Sequence, residues 1–204
     1  MFENSNYIII GYSGHSYVAC DILLKNKINI KGYCERTKKE NNPYLLDYLG
    51  LEMEYSFNDE DVFIAIGDNK IRKNVFDSLA GKASFGDAYH PTAEIGYGVQ
   101  LGSMLMLGAC SIVNPLATLG NGVIINTGAI VEHECTIGDF VHVAPGAVLA
   151  GNVTVGDHTF IGARAVVKQG VKICKDVIIG AGSVVVKDIE VPGTYIGIPA
   201  RKLL

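Results

Sequence analysis

Beginning at Ile95 and stepping by six, the chain reads Ile95, Leu101, Leu107, Val113, Leu119, Ile125, Val131 and Ile137, then Val143, Leu149, Val155, Ile161, Val167, Ile173, Ile179 and Val185. All sixteen are Ile, Leu or Val, types that fill 57 of the 204 positions. Chance produces such a run with a probability on the order of 10⁻⁹. A helix repeats every 3.6 residues and a flat strand every 2, so neither accounts for a strict period of six with turn residues inside each unit. The spacing predicts a coil of short strands joined by bends, with one aliphatic side chain per hexad pointing inward. Successive coils then stack about 4.8 Å apart through parallel hydrogen bonding. The fifth position of each hexad is mostly small or β-branched, as at Ser111, Ala117, Ala129, Ala147, Thr159, Ala165 and Ser183. Cys110 and Cys135 are read as buried thiols at that small position. Of the 24 glycines, fifteen lie in this half, eight at the second hexad position and six at the fourth, both read as bends. Gly151 alone sits at the third.

Residues 1–88 lack the period. Tyr7–Ile10 reads as a buried strand, followed by the turn Gly11-Tyr12-Ser13-Gly14-His15-Ser16 and an apolar helix over Tyr17–Leu24. Ile28–Cys34 and Val62–Ile66 read as further strands, the latter running through Gly67-Asp68-Asn69 into a helix over Ile71–Leu79. This order predicts a Rossmann-like βαβ domain with a parallel sheet, which takes ligands at the carboxyl ends of its strands. Ser13 and Ser16 replace two glycines of the dinucleotide fingerprint GxGxxG, so a smaller nucleotide such as a UDP-sugar fits better than a nicotinamide dinucleotide. Glu35 and Arg36 follow the second strand, placed to meet a ribose, base or phosphate, or to be solvated strand-end charges.

A net charge of −4 gives no electrostatic reason to expect nucleic acid or an anionic membrane. Ile95 to Val131 carries no charge over 37 residues, yet Gly, Asn, Ser, Thr or Pro interrupts it every few positions, so it is no membrane span. Met1 to Asn6 lacks the basic region of a signal peptide, and five cysteines without a CxxC suit a reduced, cytoplasmic chain.

The repeat [Ile/Leu/Val]-Gly-x-x-small-x resembles the hexapeptide-repeat acyltransferases, which implies a three-sided left-handed parallel β-helix assembled as a homotrimer. The GxSGH turn, the Ala65-Ile66-Gly67-Asp68-Asn69 block with a basic residue behind it, Val131-Glu132-His133-Glu134-Cys135 and Gly197-Ile198-Pro199-Ala200-Arg201 narrow the resemblance. Together they are similar to the bacillosamine-pathway 4-amino-sugar N-acetyltransferases and the sialic acid O-acetyltransferases. That resemblance implies a nucleotide-sugar domain over 1–88, a β-helix over 89–190 and a tail over 191–204, with acetyl-CoA in the groove between neighbouring rods. It also implies substrate contacts at Gly11, Ser13, Gly14, His15, Glu35, Arg36, Gly67, Asn69 and Asn126.

Acetyl transfer to an amine needs a group to take the amine proton and a donor facing the developing oxyanion. His133 is the leading base, because imidazole titrates near neutral pH and Glu132 and Glu134 flank it with carboxylates. In the family the following glutamate, here Glu134, polarises that histidine. The resemblance gives His142 a place near the thioester. It also implies that residues eighteen apart stack, so Gly151 lies one coil above His133 and its N–H holds the acetyl carbonyl. Small residues at Gly162, Ala163, Gly180, Ala181 and Pro199 let pantetheine lie against the rod, and Lys168, Lys187 and Arg201 are candidates for the CoA phosphates. His90 and His158 read as structural. A metal is not expected: zinc in related rods needs converging histidines, whereas His133, His142 and His158 hold the third, sixth and fourth positions of their hexads. These residues fit N-acetylation of a UDP-4-amino-sugar, with O-acetylation of sialic acid or another hydroxyl as the alternative and a non-catalytic sugar-nucleotide-binding trimer as a third reading.

Overall fold

The computed structural model describes residues 6–203. Met1 to Ser5, which enter the signal-peptide reading, lie outside the described residues. The N-terminal unit runs β1 (Asn6–Ile10), α1 (Gly14–Lys25), β2 (Asn29–Cys34), β3 (Asp47–Tyr48), β4 (Asp61–Ile64), α2 (Asn69–Leu79) and β5 (Ser84–Phe85). All five strands are parallel, in the order β3-β2-β1-β4-β5. The apolar runs of β1 and β4 take the buried centre, as a sheet covered on both faces requires. Sequence reading finds β1, β2 and β4 but not the two-residue edge strands β3 and β5.

The repeat forms a left-handed, three-sided parallel β-helix. Strands eighteen residues apart pair directly, as Ile112 with Ile130 and Ile130 with Val148. The inward aliphatic residues from Leu107 to Val185 form one buried column with the small fifth-position side chains. Ile95 and Leu101 depart from the expectation, being 43% and 36% exposed. They belong to the first coil, which has no coil beneath it. After the last hexad, Gly193–Ile196 joins the third sheet beside Val177–Ile179, and Arg201–Lys202 folds back antiparallel on it.

Two local readings need correction. The fourth position of every hexad from Gly98 to Gly182 has a left-handed backbone, including Met104, Leu116, Glu134, Phe140 and Arg164. Cys110 belongs to this set, with φ +56°, and is exposed; only Cys135 is the buried fifth-position thiol. The second-position glycines serve contact between coils rather than bends. A Cβ on Gly162 would lie 2.5 Å from the Ile179 carbonyl oxygen in the next coil.

The three faces of the rod differ. Met106 and Ile124 point outward from the third sheet, and with Met104 and Phe140 they join the apolar core of the N-terminal unit. The second face presents Gln100, Thr118, Thr136, Thr154 and Lys172. The first face presents Ile112, Ile130, Val148 and Val184, half-buried, and Val166, exposed, with the tail bonded beside Val184.

Candidate active site

His133 lies in the corner between strands Ile130–Val131 and Thr136–Ile137, and its side chain is 50% exposed. The left-handed turn at Glu134 brings that carboxylate back to His133, with Oε2 3.1 Å from Nδ1. The contact assigns the proton to Nδ1 and leaves the Nε2 lone pair free for an incoming acid. Gly151 occupies the same corner one coil above. A Cβ there would stand 2.5 Å from both Nε2 and Cε1 of His133. No other residue fits over the ring without moving it. Gly151→Ala is therefore expected to displace the imidazole and lower kcat by about 10²-fold, with an unchanged thermal transition, checked by steady-state kinetics beside calorimetry.

His142 is elsewhere on the rod. It projects from the third face into the contact with the N-terminal unit, where it is buried. Its Nε2 lies 3.1 Å from Asn126 Nδ2 and its Nδ1 3.3 Å from the Gly67 carbonyl oxygen. An amide donating to Nε2 makes Nδ1 the protonated nitrogen, in a neutral ring. The Asn126 oxygen accepts from the Thr127 N–H at 2.8 Å, which fixes the amide. Within one chain His133, on a corner, and His142, on the third face, thus sit apart.

The His15 ring is 5.8 Å from that of His142, and its Nε2 is buried without a protein partner. Burial, then the charge of Arg72, pushes His15 down to about 4. The same two causes, followed by His15, push His142 down to about 3. Both fall below the ordinary value of about 6.5, so the unfolded chain binds protons that the native state refuses as pH falls through that value. Native stability is expected to be full above about pH 7 and to decline from about pH 6.5 towards pH 4. The urea midpoint measured across this window should drop, and a His15→Gln, His142→Gln variant should flatten the drop.

The remaining substrate candidates divide. Gly11, Ser13, Glu35, Arg36 and Gly67 line one cleft of about 400 Å³ at the carboxyl ends of β1, β2 and β4. Gly14 opens α1 beside it, with nothing within 4 Å of where a Cβ would stand. Burial works to raise Glu35, but the N–H groups of Arg36 and Tyr12, then Lys39, outweigh it and hold the carboxylate low. Asn69 faces the rod instead, its amide nitrogen donating to the His158 and Thr159 carbonyls at 3.1 Å each. Asn126, Gly162, Ala163, Gly180 and Ala181 share the corner between the third and first faces. Lys187 lies past the last coil, and Pro199 lies in the tail. His158 is 3.6 Å from Asp176 and lines a second opening, about 520 Å³, between α2 and the upper coils. His90 bonds locally to Thr92.

Sequence reading missed Arg72. Its guanidinium is buried and donates to the carbonyls of Gly122, Phe140, Ile66 and Gly67 and to the Asn69 side-chain oxygen. It thereby pins the Gly67 loop, which holds His142, to the rod. No group of three or more His, Cys, Asp or Glu side chains among the described residues is arranged to hold a metal, and no helix among them is long and apolar enough to cross a membrane.

The PglD N-terminal domain model matches residues 6–79. The models for bacterial transferase hexapeptide (six repeats) and the hexapeptide repeat of succinyl-transferase match 116–151 and 152–187. The acetyltransferase domain of PglB from Neisseria gonorrhoeae is 30% identical at a TM-score of 0.91, covering 98% of this chain and 100% of its own. PerB from Caulobacter crescentus, solved with CoA and GDP-perosamine, is 31% identical at a TM-score of 0.89, over 98% of each chain. The chain belongs to the hexapeptide-repeat sugar acetyltransferases. WeeI from Acinetobacter baumannii shares the acetyltransferase's fold at a TM-score of 0.90 and 24% identity, over 98% of this chain and 100% of its own. A second structure of the gonococcal domain holds acetyl coenzyme A. No curated protein sequence matches the chain.

Proposed function

We propose that this acetyltransferase moves the acetyl group of acetyl-CoA onto the amine of a UDP-4-amino-sugar, with His133 as general base. The observation that carries the reading is the His133 ring held between Glu134 on Nδ1 and Gly151 above, with Nε2 free. The amine nitrogen attacks the thioester carbon while Nε2 takes its proton, and Glu134 stabilises the imidazolium that forms. The Gly151 backbone is offered to the carbonyl oxygen as negative charge gathers there. Collapse of the tetrahedral adduct breaks the carbon–sulfur bond, and the proton on His133 goes to the departing CoA sulfur. The amide and free CoA thiol balance the reaction without a metal or redox step.

Support for the co-substrate comes from CoA in the PerB structure and from acetyl coenzyme A in the gonococcal domain. Support for the acceptor comes from the cleft at the strand ends and from GDP-perosamine in PerB. The partly exposed aliphatic column on the first face suits threefold assembly, which would bring a His133 corner to a neighbour's His142 face. Light scattering is expected to give three times the chain mass, and a monomer would contradict the shared site. The acetylated product tests the function itself: an amide survives alkaline hydroxylamine, whereas an acetyl ester is cleaved. A labile product would favour the hydroxyl acceptor.

A further inference from the structure

In the shared site described above, the sugar of a nucleotide-sugar must reach His142, which bonds the Gly67 loop beyond the end of β4. The strand order β3-β2-β1-β4-β5 then puts the nucleoside on the other side of β1. There, at the ends of β2 and β3, Glu35, Arg36 and Glu52 line the cleft. In a sheet of this kind the carboxylate just after β2 ordinarily takes the ribose hydroxyls. That residue is Glu35, and its oxygens are already engaged. Oε2 accepts from the Tyr12 N–H at 3.2 Å and lies 3.4 Å from Lys39 Nζ, while Oε1 accepts from the Arg36 N–H at 3.0 Å. Glu35 thereby ties the turn after β1 to the end of β2.

Glu52 is differently placed. A bond from the Glu35 N–H to the Gly50 carbonyl, at 3.0 Å, brings its segment to the end of β2. Bonds from the Glu54 and Tyr55 N–H groups to the Leu51 carbonyl, at 3.0 and 3.2 Å, close a turn around it. Its charge is felt at Cys34, the last residue of β2, where burial and then Glu52 push the thiol up to about 12. Half-buried in the cleft wall, the Glu52 carboxylate has no hydrogen-bond or ion-pair partner among the described residues. A carboxylate accepts hydrogen bonds and never donates them. A diphosphate repels it, and uracil offers a single N–H set between two carbonyl oxygens that repel it as well. The ribose offers two adjacent hydroxyls, both donors, spaced to meet two carboxylate oxygens. We propose that Glu52, rather than Glu35, binds the 2′- and 3′-hydroxyls of the ribose and so selects a ribonucleoside over a 2′-deoxyribonucleoside diphosphate sugar. This rests on the UDP-sugar reading above and adds the residue that sets the choice of nucleoside.

The test is calorimetric binding of UDP and 2′-deoxy-UDP to the full-length protein, as wild type, Glu52→Ala and Glu35→Gln. Wild type is expected to bind UDP about tenfold or more tightly than its 2′-deoxy counterpart, the worth of a hydrogen bond to a charged acceptor. Glu52→Ala should weaken UDP by a similar factor and bring the two nucleotides within about twofold of each other, with an unchanged thermal transition. Glu35→Gln should weaken both nucleotides alike and keep the preference. Equal affinity of the wild type for both nucleotides would overturn the proposal and leave the uridine reading standing. A preference that survives in Glu52→Ala, or that disappears only in Glu35→Gln, would also overturn it. Wild-type protein that binds GDP but not UDP would overturn the uridine reading itself, and this proposal with it.

Discussion

His133→Ala is expected to lower kcat by about 10²–10⁴-fold while leaving the KM for acetyl-CoA unchanged. The ring takes the proton of the attacking amine and returns it to the leaving sulfur, so its loss is felt in the chemical step rather than in binding. Structure is not at stake, because half of the side chain is in solvent and its one side-chain partner is the neighbouring Glu134. Glu134→Gln should cost less, since an amide still orients the ring while losing the charge that stabilises imidazolium. Full activity in His133→Ala would remove the general base from the mechanism. An increase in the acetyl-CoA KM alone would instead make His133 part of the CoA groove.

Arg72→Leu is expected to destabilise the protein by about 3–5 kcal/mol, read from urea denaturation. The substitution leaves four backbone carbonyls and the Asn69 oxygen buried without their donor. Arg72→Lys should recover little, because one ammonium has three donors and cannot reach five acceptors spread over α2, the Gly67 loop and two coils of the rod. Burial already works against the guanidinium charge, which is retained because the acceptors around it are arranged for it. Activity should fall as well, since Arg72 and His142 both bond the Gly67 carbonyl. A variant as stable as wild type would show that the two units are held by their shared apolar core alone.

What the chain's residues disclose by themselves follows from physical repetition. Every hexad needs one inward aliphatic residue, so the rod can be read from Leu107 to Val185 without a break. Ile95 and Leu101 carry the same pattern in a coil that nothing covers from below, and a pattern cannot report a missing neighbour. In the N-terminal unit, β1 and β4 are buried apolar runs and legible, while β3 and β5 are two-residue edges with no periodicity to read. Gly151 is legible because it breaks the phase of the other rod glycines, and the structure finds the His133 ring against it. Arg72 is illegible for the opposite reason. Its partners are mostly backbone carbonyls, which leave no mark in the sequence, and an arginine on a helix is ordinarily at the surface. Cys110 shows the limit of a composition argument, since a small residue in a rod reads as core until its position within the hexad is counted.

The most direct measurement of the central claim is release of free thiol from acetyl-CoA across a panel of acceptors. The panel contains UDP-4-amino-sugars, UDP-3-amino-sugars, GDP-perosamine and sialic acid. The account predicts rapid release with a UDP-4-amino-sugar, abolished in His133→Ala. Release with sialic acid but with none of the amino-sugar nucleotides would contradict it.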